Sequence, residues 1–225
     1  MQELFRYSRG KLKTGFVGTP ILCNVLSDNG MSRLAYDILL NEDYPGWLHE
    51  VRLGATTVWE RWNSLDDQLH FTSLDMNSLN HYAEGSVLEW IFSHAAGLRA
   101  LEPGYRRALI QPEPDPRLGH LACSYDSPAG RYQIEWSLSG GAERVATAGV
   151  TEVFREKLSG EAEEIEFRLD VEIPFGCEAR LVLPGSPETA SMNGRPVSGS
   201  EALSLLPGHY TFVYSAAGMF SHGAD

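Results

Sequence analysis

The rhythm of apolar and polar positions changes partway along the chain, and that change divides it in two. Leu79, Ala83, Val87, Trp90, Ile91, His94, Ala95 and Leu98 recur at spacings of three and four, the broad stripe of a helix over about residues 80 to 98. Upstream, Ile21, Leu22, Val25 and Leu26 predict a helix opened by Thr19-Pro20, with Thr as N-cap and Pro at the first helical position. It should stop at Asp28-Asn29-Gly30, where glycine can adopt the left-handed C-cap. Leu34, Ala35, Ile38 and Leu39 predict a second helix over about residues 32 to 40, so the two form a short helical hairpin. Residues 1–13 predict one or two helical turns, the tail of something longer. Residues 41–55, with Tyr44-Pro45-Gly46-Trp47, predict a loop. A short helix from Thr56 or Thr57 through Trp62 and a polar loop from Asn63 to Asp75 complete this half.

After Tyr105 the period falls from 3.6 to 2, and Pro and Gly punctuate the chain at short intervals. Ile165 to Ile173 alternates strictly, a strand with one buried face. Arg131 to Leu138, Glu178 to Leu183 and His209 to Tyr214 predict further strands, and Asn193-Gly194 predicts a hairpin turn. Short strands at this spacing predict an antiparallel β-sandwich. The expected boundary lies near residue 104: residues 1–103 helical, residues 104–225 strands. Three or four helices in about one hundred residues make a small independent core, so the first half is expected to be part of a larger helical domain.

Composition narrows the partners. The 225 residues carry 30 acidic against 18 basic side chains, a formal charge of -12. Such a balance argues against nucleic acid, which requires clustered Lys and Arg, and suits a neutral ligand. No apolar run reaches the roughly 20 residues of a membrane helix, and residues 1–13 lack the apolar core of a secretory signal. Cys23, Cys123 and Cys177 are far apart, with no zinc spacing and no disulfide framework. Neither metal nor cofactor is expected, and reduced thiols suggest a cytoplasmic setting.

The candidate chemistry sits in Gly54-Ala55-Thr56-Thr57-Val58-Trp59-Glu60-Arg61-Trp62, which places Glu60 between two tryptophans. Flat apolar side chains with a few fixed polar groups suit a sugar ring. A carboxylate among apolar neighbours can act as a general base. The same residues also spell a capping box, Thr57 as N-cap and Glu60 three positions on. His81, at a helix start, reads equally as a capping histidine. Trp47 and Trp59 are either stacking platforms or core, and Asp66-Asp67 reads as a solvated loop. Gly18-Thr19-Pro20 is not followed by the Gly-Lys-Ser/Thr of a phosphate loop.

Thr14-Gly15-Phe16-Val17-Gly18-Thr19-Pro20, the Glu60 block, Leu79-Asn80-His81-Tyr82-Ala83-Glu84-Gly85-Ser86-Val87 and Trp90 together resemble the bacterial α-L-rhamnosidases of glycoside hydrolase family 78. Ser124-Tyr125-Asp126-Ser127-Pro128-Ala129-Gly130 and Trp136 resemble the opening strands of that family's C-terminal β-sandwich. The resemblance spans roughly residues 12 to 185. It implies a segment of an (α/α)6 six-hairpin barrel followed by a β-sandwich, and inverting hydrolysis of terminal α-L-rhamnosyl bonds in a rhamnose-containing glycoside. It further implies that Glu60 is the general base and that His81 contacts the sugar, with Trp59 and Trp47 as substrate-binding candidates.

In the family the general acid is an aspartate well upstream of the Thr-Gly-Phe-Val-Gly block. Only thirteen residues precede that block here, so a missing N-terminal half of the barrel is an expected partner. Met1 then reads as an internal start or the second piece of a split or truncated gene. Two alternatives accompany this reading: a non-catalytic carbohydrate-binding remnant, and part of a six-hairpin glycosidase for another terminal sugar.

Overall fold

The computed structural model describes residues 11–139, 165–216 and 219–220. Of the helical turns expected over residues 1–13, residues 1–10 lie outside them, and residues 11–13 are not helical. The chain forms two compact units, Met1–Ile91 and Phe92–Asp225.

In the first unit, α1 (Thr19–Asp28) and α2 (Ser32–Leu39) form the expected hairpin. Gly18, not Thr19, is the N-cap, and Thr19 is the first helical residue; its buried hydroxyl pairs with that of Thr14 at 2.9 Å. Gly30 takes φ +72°, letting the Met31 N–H return to the Leu26 carbonyl at 2.9 Å. Leu26, Ala35, Tyr36 and Ile38 are buried in the core of this unit. Trp90 meets Tyr36 edge-on at 5.0 Å and donates its indole N–H to Ser27 Oγ at 2.9 Å.

Two expectations for the middle of this unit are overturned. The stretch expected to be a loop holds a helix, α3 (Trp47–Arg52). It forms because Trp47 and Glu50 bury one face three residues apart, and Gly54 at φ +87° ends it. Conversely, no helix runs from Thr57 to Trp62, and the capping box does not close. The β-branched run Thr56-Thr57-Val58 disfavours helix, and its polar groups find distant partners. Thr57 Oγ1 donates to the Leu79 carbonyl, and the Val58 carbonyl accepts the His81 N–H at 2.8 Å.

The helix expected over residues 80 to 98 is shorter and broken. It comprises α4 (Tyr82–Gly85), α5 (Val87–Trp90) and a π-turn, Ile91–Ala95. Gly97 then turns the chain at φ +80°, where a Cβ would lie 2.1 Å from the Gln111 carbonyl carbon. Only glycine fits there.

The second unit is a sandwich of two sheets. The strands β1 (Leu98–Ala100), β2 (Arg107–Ile110), β6 (Glu178–Leu181) and β9 (Leu203–Leu205) form one, in the order β1-β2-β6-β9. Residue 98, inside the predicted helix, thus begins an edge strand of this sheet. The other sheet runs β3-β4-β5-β10-β7-β8. Its members are β3 (His120–Ser127), β4 (Gly130–Ser139), β5 (Glu166–Ile173), β7 (Ala190–Met192), β8 (Arg195–Val197) and β10 (Gly208–Ser215). Pairing is antiparallel except between β2 and β6. The alternation of β5 is realised as predicted: Phe167, Leu169, Val171 and Ile173 are buried against Tyr132, Ile134 and Trp136 of β4 and Phe212 of β10. Ala108, Ile110, Ala179, Leu181 and Leu205 of the other sheet close the same core. Asn193 (φ +51°) and Gly194 (φ +78°) make the β7–β8 turn.

Among the described residues no helix is long and apolar enough to cross a membrane. Cys23, Cys123 and Cys177 are free thiols. Burial pushes Cys23 up to about 12 and Cys123 up to about 11.

Candidate active site

The segment carrying Glu60 lies beside residues 78–81. The Glu60 N–H donates to the Ser78 carbonyl at 2.8 Å, and the Ser78 N–H donates to Glu60 Oε2 at 2.7 Å. With Val58 and His81 joined as well, the two segments form a clasp. It sets Glu60 and His81, far apart in sequence, on one short piece of wall. Glu60 is half-buried, and its Oε1 bonds no described residue. One oxygen is thus held by a backbone donor and the other remains available, as a group that must accept a proton from water requires.

His81 does cap α4, its Nδ1 accepting the Ala83 N–H at 3.3 Å. That bond fixes the ring and leaves Nε2 on the far side. The ring is stacked between Phe16 at 4.7 Å and Tyr82 at 5.1 Å. Phe16 and Tyr82 are both exposed, Tyr82 at 84%. The capping and ligand-contact readings of His81 are therefore compatible, because they use different ring nitrogens.

The tryptophans behave differently. Trp59 is 3% exposed and Trp47 7%, so neither offers a ring face to solvent in this unit. Trp47 donates its indole N–H to the Glu84 carbonyl at 2.9 Å and meets Trp62 edge-on at 5.3 Å. Trp47 and Trp59 both belong to the buried core of this unit. The loop beyond folds on itself. Ser64, fully buried, donates to Asn77 Oδ1 at 2.7 Å, while Arg61 Nη2 reaches the Met76 carbonyl at 3.0 Å. Asp66 is the solvated residue expected, accepting the Gln68 and His70 N–H groups at 2.9 Å; these bonds hold its carboxyl below the usual range.

Beneath this wall lie two side chains that the sequence patterns do not single out. Glu50 of α3 and Glu84 of α4 are each 2% exposed. Glu50 Oε2 accepts the Trp59 N–H at 3.2 Å. Among the described residues, Glu50 Oε1 and Glu84 Oε2 lack hydrogen-bond partners. Burial lifts Glu50 to about 7; the Trp59 N–H opposes the rise and the Glu84 charge adds to it. Glu84 is raised by burial too, against the Thr19 hydroxyl and the His81 charge. A signal exists in the sequence for Glu84, three residues before Val87 on the apolar side of the predicted helix; Glu50 lies in a stretch whose pattern predicts a loop.

Residues 1–95 match the bacterial alpha-L-rhamnosidase 6 hairpin glycosidase domain, and residues 97–148 match the bacterial alpha-L-rhamnosidase C-terminal domain. An alpha-L-rhamnosidase of Alteromonas sp. (strain LOR) is 32% identical over 202 residues, 89% of this chain and 19% of the relative. One from Formosa agariphila is 41% identical over 127 residues, 56% of this chain and 14% of the relative. The crystal structure of Streptomyces avermitilis alpha-L-rhamnosidase complexed with L-rhamnose matches with a TM-score of 0.75 at 28% identity, covering 95% of this chain and 19% of that one. The chain therefore spans no more than about a fifth of the length of these relatives. It belongs to the bacterial alpha-L-rhamnosidases, carrying sequence of both their six-hairpin glycosidase domain and their C-terminal domain.

Proposed function

We propose that this chain supplies the general base of an inverting α-L-rhamnosidase, with Glu60 deprotonating the water that attacks a terminal α-L-rhamnosyl bond. The observation that carries this reading is the state of the Glu60 carboxylate. One oxygen is fixed by the Ser78 N–H at 2.7 Å, and the other bonds no described residue. Inversion needs a second carboxyl group, the acid, about 6.5–9.5 Å away across the sugar. In this reading it comes from other hairpins of the six-hairpin domain, contributed by the rest of a longer enzyme. His81 holds a sugar hydroxyl through Nε2, its ring kept in place by the Ala83 N–H and by Phe16. Trp47 and Trp59 support the wall from behind and do not stack on the sugar.

The test is Glu60→Gln in a protein that joins this chain to the remaining hairpins of a family barrel, assayed on an aryl α-L-rhamnoside. Hydrolysis should fall by about 10²–10⁴-fold, the usual contribution of general base catalysis. Activity retained within tenfold rejects the assignment. Activity on other aryl glycosides, with none on the rhamnoside, would assign a different terminal sugar. Calorimetry of this chain with L-rhamnose tests the carbohydrate-binding alternative, which no heat of binding would reject.

A further inference from the structure

We propose that Glu50 is a positioning residue for Glu60, bracing the wall by accepting the Trp59 N–H on its inner side; this rests on the reading of Glu60 as the base. Across one trans peptide the carbonyl and the following N–H point to opposite sides. The Val58 carbonyl and Glu60 N–H both face the segment 78–81. The intervening Trp59 N–H must face the other way, and Trp59 is 3% exposed. No backbone carbonyl takes that N–H among the described residues; the Glu50 carboxylate does, at 3.2 Å. Glu60 is thus gripped from two sides, by Ser78 in front and by Glu50 one residue back.

A buried carboxylate is a costly means of satisfying one amide, more so with Glu84 buried nearby. The gain is strength: an ionised acceptor holds an N–H about twice as well as a neutral one. Because burial lifts Glu50 to about 7, the brace changes from a strong to a weak acceptor around neutral pH. The groups set against it are the Trp59 N–H and Glu84, with the Thr19 hydroxyl and His81 acting on Glu84. His49 and Arg52 are its neighbours along α3.

Two substitutions separate bracing from mere packing. Glu50→Met keeps the bulk and removes the acceptor, whereas Glu50→Gln keeps a neutral acceptor. In this chain, amide hydrogen exchange followed by NMR should show the Trp59 amide exchanging at least tenfold faster in Glu50→Met. The Glu60 and His81 amides should keep their rates, and Glu50→Gln should return Trp59 to within threefold. An unchanged Trp59 amide in Glu50→Met overturns the brace.

In the joined enzyme, Glu50→Met should lower kcat about tenfold with KM within twofold, Glu50→Gln should recover most of it, and any limb of the pH profile near 7 should vanish in both. A faster Trp59 amide with kcat unchanged, while Glu60→Gln is inactive, overturns the positioning role and leaves the Glu60 reading intact. An active Glu60→Gln overturns both. If Glu50→Met does not fold, Glu50→Gln decides alone: a pH limb near 7 that persists in it overturns the inference.

Discussion

The two units treat polar groups in opposite ways. In the sandwich the large core is apolar, and its buried His94 and Asp115 are paired: His94 meets Glu113 at 2.9 Å and Asp115 holds Arg117 at 2.7 Å. Others of its described ion pairs are more open, such as Arg168–Asp170 and His120–Glu135. The helical unit buries Glu50 and Glu84 without complete partnering, and leaves the buried Trp62 indole N–H without an acceptor among the described residues. It also exposes Val17, Ile21, Val51, Leu74, Met76 and Leu88. A unit built only for stability would avoid both features. Both features are more frequent in the helical unit, which holds the candidate chemistry, than in the sandwich, where Leu101, Phe175 and Leu206 are the large apolar side chains exposed among the described residues.

This contrast can be broken by measurement. The largest effect belongs to the sandwich. Trp136 is fully buried and donates to the Ala95 carbonyl at 2.8 Å, so Trp136→Ala should cost about 3–5 kcal/mol by denaturant unfolding. A loss under ~1 kcal/mol would show that the core is not close-packed. Next comes the pH dependence of the helical unit. Unfolded, Glu50 gives up its proton near 4.5; folded, it keeps it to about 7. The folded state therefore binds more protons across that window, and stability falls as pH rises through it, by about 3 kcal/mol at most. Glu50→Gln should flatten that slope between pH 5 and 7; an equal slope in both proteins would remove the buried-charge contrast. The smallest effect is expected at the sandwich surface. His120 and Glu135 are 2.9 Å apart but 40% and 58% exposed, so His120→Gln should shift stability by less than ~0.5 kcal/mol. A larger shift would mean that the open sheet face is more than a solvated surface.

How much of the fold is legible in the sequence depends on the range of the interactions. Strands β4, β5 and β10 and the hairpin α1–α2 are readable because period-2 and period-3.6 patterns and Gly30 or Asn193-Gly194 act over a few residues. The stretch around Glu60 differs in structure from its local pattern, though its chemical candidacy is visible in the residues. Its capping box is a local pattern, but Thr57 and Glu60 spend their polar groups on Leu79 and Ser78. Those contacts cross about twenty residues of chain, so no local rule reports them. The helix α3 escapes local rules for the same reason: its apolar face is short, and burial beside Trp62 and Glu84 makes it helical.

By itself, the sequence determined the change from helical to strand patterning, the strand faces of the sandwich, and the residue types able to carry the chemistry: one carboxylate, one histidine and their aromatic neighbours. Only the tertiary structure decided how they are used. It brought Ser78 to the Glu60 carboxylate, put the Phe16 ring on His81, buried Trp47 and Trp59, and set Glu50 against the Trp59 N–H. The physical reason is that a hydrogen bond or a ring stack between distant segments is decided by where the backbone passes. The passage of the backbone is set by burying the whole apolar surface at once, which no single stretch encodes.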